Sequence, residues 1–122
     1  MQLIAVAIGG ALGAVGRYWV GLKTYDLLGG SYPYATIFVN VLGSLLMGFV
    51  MAGLMERLPL EWRGFIVVGF LGSFTTFSTF SADTIRLVEA GNMAAAVGYV
   101  ALSLVLGLTA LVGGLYLGKG VF

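Results

Sequence analysis

Charged side chains divide this chain into long apolar runs. They stand only at Arg17, Lys23, Asp26, Glu56, Arg57, Glu61, Arg63, Asp83, Arg86, Glu89 and Lys119. The uncharged intervals are residues 1–16, 27–55, 64–82 and 90–118. A bilayer core about 30 Å thick needs ~20 apolar residues per helix. The pattern therefore predicts four spans, over residues 3–22, 34–54, 62–88 and 93–117. Membrane barrel strands would alternate apolar and polar residues with a period of two. These runs are continuous, which selects helices. The fold class is all-α: a single four-helix membrane domain over residues 1–122.

Composition sharpens this reading. The chain is 60% hydrophobic and 9% charged, against about 25% charged in a soluble domain. Cys and His are absent, which removes disulfides, thiol chemistry and the usual transition-metal ligands. With no acid pair at mid-span either, the chain is not expected to be an enzyme. Residues 1–16 carry no basic leader, and Gly9-Gly10-Ala11-Leu12-Gly13 suits helix packing, so the first span reads as retained. Pro33 and Pro59 suit helix starts. Loops are expected at Asp26–Ser31 and Glu56–Glu61, with a turn at Gly91-Asn92. Trp19, Tyr32, Tyr34, Trp62 and Tyr116 fall near span ends, as an interfacial aromatic belt would. Gly9/Gly13, Gly114/Gly118, Ser44/Gly48 and Gly69/Ser73 are i,i+4 pairs of small residues, which let helices approach closely in lipid.

Lysine and arginine are balanced across the four spans. Arg57, Arg63 and Lys119 fall on one side, and Arg17, Lys23 and Arg86 on the other. Orientation follows the asymmetry of these residues, and here there is none. The chain is expected to insert both ways, so that two opposite copies pair about a two-fold axis in the membrane plane. Four helices alone make a thin unit, and a pathway is easier to build between two units.

Uncharged polar groups gather in two spans. Thr36, Asn40 and Ser44 share a face of span two at i, i+4 and i+8. In span three, Gly72-Ser73 is followed by Thr75-Thr76, whose hydroxyls compete for backbone partners and weaken the helix. A break there would free carbonyls at mid-membrane, which are good Na⁺ ligands when they line a cavity. Beyond it, Phe77 and Phe80 share one face, and Ser78 and Ser81 another. A phenyl ring has a positive edge, which can face an anion without a full charge. Span four adds Tyr99 and Ser103. Arg17 is expected near the end of span one, and Asp83 and Arg86 are spaced to pair with each other. No Lys or Arg is expected at mid-membrane. Neutral donors and ring edges suit rapid anion passage, because a pore must release its ion as well as bind it.

Three motifs carry a family resemblance: GGALGAVGRY (9–18), FVNVLGSLLMG (38–48) and GFLGSFTTFSTFS (69–81). Together they resemble the Fluc fluoride channels, also called the CrcB family. The resemblance implies an antiparallel, dual-topology homodimer in the prokaryotic cytoplasmic (inner) membrane, with two fluoride pathways and a central structural Na⁺. It implies passive F⁻ export that protects the cell from fluoride. By motif position, Phe77 and Phe80 would be the pore rings, and Asn40 would support them. Ser78 and Thr79 would add hydroxyls, and Thr36, Tyr99 and Ser103 would continue the line. The carbonyls of Gly72 and Thr75 would hold Na⁺, and Arg17 would sit near a vestibule. Ser73, where many relatives have a second Gly, and Gly107, where some have a hydroxyl, depart from the family pattern.

A small proton-coupled exporter shares the length and the four spans. Such exporters resemble one another around a Glu embedded in span one, and residues 1–16 hold no acid. Proton coupling here would fall to Asp83, the one acid near a span interior. The charge balance generates one expectation of its own. Reporter tags read from each side of the membrane should detect both orientations, and a single orientation for all molecules would contradict the balance.

Overall fold

The computed structural model describes residues 1–122 and is all-helical, with four helices long and apolar enough to cross a membrane. We label them α1 (Gln2–Leu28), α2 (Tyr34–Arg57), a third span in two pieces, α3 (60–74) and α4 (Phe77–Glu89), and α5 (Met93–Val121). Pro33 and Pro59 stand at the N-caps of α2 and α3. Asn92 caps α5, its Oδ1 accepting from the Ala95 N–H at 3.0 Å. Just before it, α4 closes through a paired turn. Gly91 takes φ 80°, its N–H donates to the Val88 carbonyl, and the Asn92 N–H reaches Leu87. This is the Schellman arrangement, which wants glycine at the left-handed position.

Two loop boundaries differ from the sequence expectation. Helix α1 continues through Lys23 and Asp26 and stops only at Gly29, where φ is 79°. Charge does not end a helix, whereas a left-handed residue does. Likewise Glu56, Arg57 and Glu61 are helical, and only Leu58 and Pro59 separate α2 from α3. The longer α1 moves Arg17 away from the helix end to a position level with the middle of the third span. Residues Gly64–Leu71 are wound as π-helix, and α2 kinks at Gly53 (φ 157°, ψ −22°); the sequence signals neither.

The helices pack as two close pairs. Helix α2 lies along α5, and α1 along α3. Glycine makes both contacts possible. A Cβ at Gly48 would collide with the Leu111 carbonyl, and one at Gly114 with the Leu45 carbonyl. A Cβ at Gly9 would meet the Phe65 carbonyl, and one at Gly13 the Phe70 carbonyl. With no hydrophobic effect between helices in lipid, such backbone-to-backbone packing is the main source of association. The buried core is small and is led by Val39, Leu71 and Tyr99.

Between Phe74 and Phe77 the third span departs from helix. Thr75 (φ −83°, ψ 158°) and Thr76 (φ −152°, ψ 121°) are extended. Thr75 packs on α2 at Gly43, where a Cβ would run into its methyl group. Gly72 itself is helical (φ −62°, ψ −34°).

Neighbouring glycines on α5 test the packing. Gly114→Ala should lower the melting temperature in detergent micelles, because overpacking against the Leu45 carbonyl costs about 1–3 kcal/mol. Gly113 has nothing within 4 Å of a built Cβ. Gly113→Ala should therefore leave stability equal or raised, since Ala favours helix over Gly by about 1 kcal/mol.

Candidate functional site

The candidate site is built around the two extended residues. In a continuous helix the Thr76 N–H would donate to the Gly72 carbonyl. Here it donates to Asn40 Oδ1 at 2.8 Å, and Asn40 Nδ2 donates to the Thr76 carbonyl at 3.1 Å. The side-chain amide thus pairs with the backbone as a second peptide would. The pairing fixes the amide's orientation, because a backbone N–H only donates and a carbonyl only accepts. One Asn40 N–H remains uncommitted.

Other groups satisfy the rest of the interruption. Thr75 Oγ1 donates back to the Leu71 carbonyl at 2.9 Å. Thr76 Oγ1 accepts from the Thr79 N–H at 3.2 Å and so caps α4. Arg17 Nε donates to the Ser73 carbonyl at 3.1 Å. That contact corrects two sequence expectations. Arg17 does not sit near the end of its helix, and an arginine does lie level with mid-span. The reason is the extension of α1 to Gly29.

Asn40, Thr75, Phe77 and Phe80 line one pocket of about 290 Å³, together with Gly43 and Ser44. No charged group lines it. The Phe77 and Phe80 rings lie 5.9 Å apart at 44°, and Phe80 is 5.2 Å from the Tyr99 ring. Phe77 is 78% exposed on the single chain. Arg17, Thr36 and Thr79 line a second pocket of about 230 Å³ on the other side of Thr76. Ser78 is exposed, and its hydroxyl is 3.5 Å from Thr76 Oγ1. Gly72 and Ser103 line neither pocket. The Ser103 hydroxyl is buried without a hydrogen-bond partner, which leaves its donor free.

Asp83 is the residue that sequence reasoning underrated. The expected pair with Arg86 is present, at 3.3 Å to Oδ1. The other carboxylate oxygen accepts from Thr36 Oγ1 at 2.7 Å and Tyr99 Oη at 3.2 Å. Asp83 is buried, at 8% exposure. A buried carboxylate needs such donors, because desolvating an unpaired charge is costly. Thr36, Asp83 and Arg86 open onto a third pocket of about 340 Å³ at the loop before α2. The spacing of Asp83 and Arg86 was visible in the sequence. The convergence of α2 and α5 on the same oxygen was not, since it joins residues far apart in the chain.

Hydroxyls therefore divide into committed and open groups. Thr75, Ser81 and Thr84 donate to carbonyls one turn back, at 2.9, 3.0 and 2.8 Å. Thr36 and Tyr99 donate to Asp83. The hydroxyls of Ser44 and Thr79 line the two pockets uncommitted, as does one N–H of Asn40, whereas that of Ser103 is unpartnered but buried.

Comparison with known proteins shows the family of the chain. The profile of the family described as "CrcB-like protein, Camphor Resistance (CrcB)" matches residues 4–115. A protein of Nitrobacter winogradskyi named fluoride-specific ion channel FluC is 50% identical over 116 residues, covering 93% of this chain and 91% of that one. A Rhodospirillum centenum protein of the same name is 50% identical over 121 residues, covering 96% and 91%. A third, from Methylococcus capsulatus, is 47% identical over 112 residues, covering 90% of this chain but 49% of its own length, so the chain spans about half of that relative. By the extent of the profile match and these identities, the chain belongs to the CrcB family of integral membrane proteins.

Proposed function

We propose that this protein is a fluoride-selective passive channel, which exports F⁻ down its electrochemical gradient and so protects the cell from fluoride. The observation that carries the reading is the neutral pocket where Asn40, Phe77 and Phe80 meet. It is lined by two phenyl rings and an amide, and by no ammonium that would hold an anion too tightly to conduct. The names of the relatives point to the same ion.

The physical logic is simple. HF crosses membranes neutral, ionises inside and is trapped as F⁻. The membrane potential then favours anion exit, with no pump required. Arg17, beside Thr36 and Thr79, draws the anion toward its pocket. Phe77 and Phe80 turn their edges to it, with Ser78 and Thr79 close by. The hydroxyls of Thr36, Tyr99 and Ser103 continue the line along α2 and α5. Thr36 and Tyr99 join it when Asp83 releases them, whereas Ser103 has no such bond to break. This is transport without bond-making, so no enzymatic role is assigned.

The working unit in this reading is an antiparallel, dual-topology homodimer in the inner membrane of a prokaryotic cell. The near balance of flanking Lys and Arg supports it, Arg57, Arg63 and Lys119 against Lys23 and Arg86 once Arg17 is placed at mid-span. So does Phe77, which a single chain leaves uncovered. A structural Na⁺ at the dimer axis fits the donor set of the interruption. Gly72 loses its helical N–H donor to Asn40, and the Thr79 N–H, four residues beyond Thr75, goes to the Thr76 hydroxyl. The Gly72 and Thr75 carbonyls from two copies would hold the ion and tie the two breaks together. Arg17 keeps the intervening Ser73 carbonyl out of that set.

Purified protein in liposomes should release F⁻ rapidly through a K⁺ shunt, without a proton gradient and without Cl⁻ release. A fluoride electrode with a chloride control reads both. A requirement for a proton gradient would instead indicate an exchanger. Phe80→Ile should lower F⁻ efflux roughly tenfold or more while the dimer survives, the scale of losing an ion-facing contact worth about 1.5–3 kcal/mol. Asn40→Asp should abolish efflux in the same assay. It removes the donor to the Thr76 carbonyl and places a carboxylate in the anion pocket. Wild-type efflux in either variant would count against these roles.

A further inference from the structure

Beside the pocket at the loop before α2, with which it shares Thr24 and Tyr34, the outer face of α1, α2 and α5 carries a groove of about 600 Å³. Ten of its twelve lining residues are hydrophobic, among them Val20, Leu27, Phe38, Val41, Leu102 and Leu106. On α2 it uses Phe38 and Val41, which turn away from the face of Asn40, Gly43 and Ser44. It begins where α1 ends and where α2 and α5 start. Leu106 lies thirteen residues into α5. At about 1.5 Å per residue the groove floor is then roughly 20 Å from that end, comparable to the ~15 Å depth of one leaflet's hydrocarbon.

A cation stands on its rim. Lys23 is exposed, and its ammonium lies 5.7 Å from the Trp19 ring centroid. The chain's only ion pair is Arg86–Asp83, so Lys23 has no carboxylate partner, Asp26 one turn on included. Thr24 on the same rim is already committed to the Val20 carbonyl at 2.7 Å. Trp19 and Tyr34 also line the groove, and Tyr34, at the start of α2, is suited to the headgroup level. An apolar slot of leaflet depth, opened by one unpaired ammonium beside Tyr34, matches a ligand with a long hydrocarbon tail and an anionic head. A soluble anion would leave the slot unfilled. A zwitterionic lipid would set a second cation beside Lys23.

We propose that this groove binds an anionic glycerophospholipid of the surrounding bilayer. One acyl chain lies between α1, α2 and α5, and the phosphodiester sits against Lys23. The site is separate from the anion pockets, so its test reads lipid retention and does not rest on transport.

The purified full chain is titrated in detergent with dioleoylphosphatidylglycerol or dioleoylphosphatidylcholine, and native mass spectrometry counts the lipids retained. Phosphatidylglycerol should be retained about fivefold better, the scale of one Lys–headgroup attraction. Lys23→Gln should erase that preference, and Lys23→Arg should keep it. Val41→Trp, which fills the slot, should reduce retention of both lipids. If Val41→Trp does not fold, the two Lys23 variants decide the question by themselves. Equal retention of the two lipids by the wild type would overturn the proposal, as would a preference that survives Lys23→Gln. So would disulfide cross-linking between copies carrying Leu106→Cys, which would show a second copy covering the groove.

Discussion

A helix interrupted inside a membrane must find partners for the backbone groups it exposes, and here the pairing of Asn40 with Thr76 supplies them. Lipid offers no hydrogen bonds, and each unsatisfied group there costs several kcal/mol. Asn40 is suited to the task because its side chain ends in a primary amide, which presents a donor and an acceptor side by side as a peptide does. Two bonds of 3.1 and 2.8 Å close that pair. The Thr75 and Thr76 hydroxyls and Arg17 add further bonds, while the Gly72 and Thr75 carbonyls keep no helical N–H partner. Beyond the interruption, α4 carries Phe77 and Phe80 to the pocket wall.

The surrounding helices make that position rigid. Glycines bring α1 against α3 and α2 against α5 until backbone meets backbone. Asn40 rides on one pair and Thr76 on the end of the other, so their hydrogen bonds also join the two pairs. Asp83 adds a second tie, holding α4 to Thr36 of α2 and Tyr99 of α5. Charge is thereby kept out of one pocket. Arg17 and Asp83 line neighbouring pockets that share Thr36, on one side of Thr76, and the Asn40–Phe77–Phe80 pocket on the other side has no charged residue. A conduction pathway for a small anion benefits from that order, since a fixed charge at its centre would trap or repel the ion.

Much of the framework was legible in the chain. Four apolar runs gave four helices, Pro33, Pro59 and Asn92 marked helix starts, and Gly9, Gly13, Gly48, Gly114 and Gly118 marked close packing. The threonines after Gly72-Ser73 marked the weak point of the third span, and the extended residues are Thr75 and Thr76 rather than Gly72. Misreadings arose where a local rule met a longer-range outcome. The charges at Lys23 and Asp26 suggested a helix end, but a helix tolerates charge and stops where Gly29 turns left-handed. That error carried Arg17 to the wrong depth. The π-wound segment and the kink at Gly53 had no sequence signal.

What the sequence determined by itself follows from solvation and local geometry. Hydrocarbon admits only long uncharged runs, and proline, glycine and hydroxyl residues bias the backbone within a few positions. Which donors remain open to an ion is a different kind of question. Thr36, Tyr99 and Ser103 look alike in the sequence as hydroxyls along two helices. Only the tertiary structure commits the first two to Asp83 and leaves Ser103 unpartnered. The reason is that a hydrogen bond between helices depends on distances set by the packing of both. Residues 36, 83 and 99 acquire a common point in space only once the helices have come together.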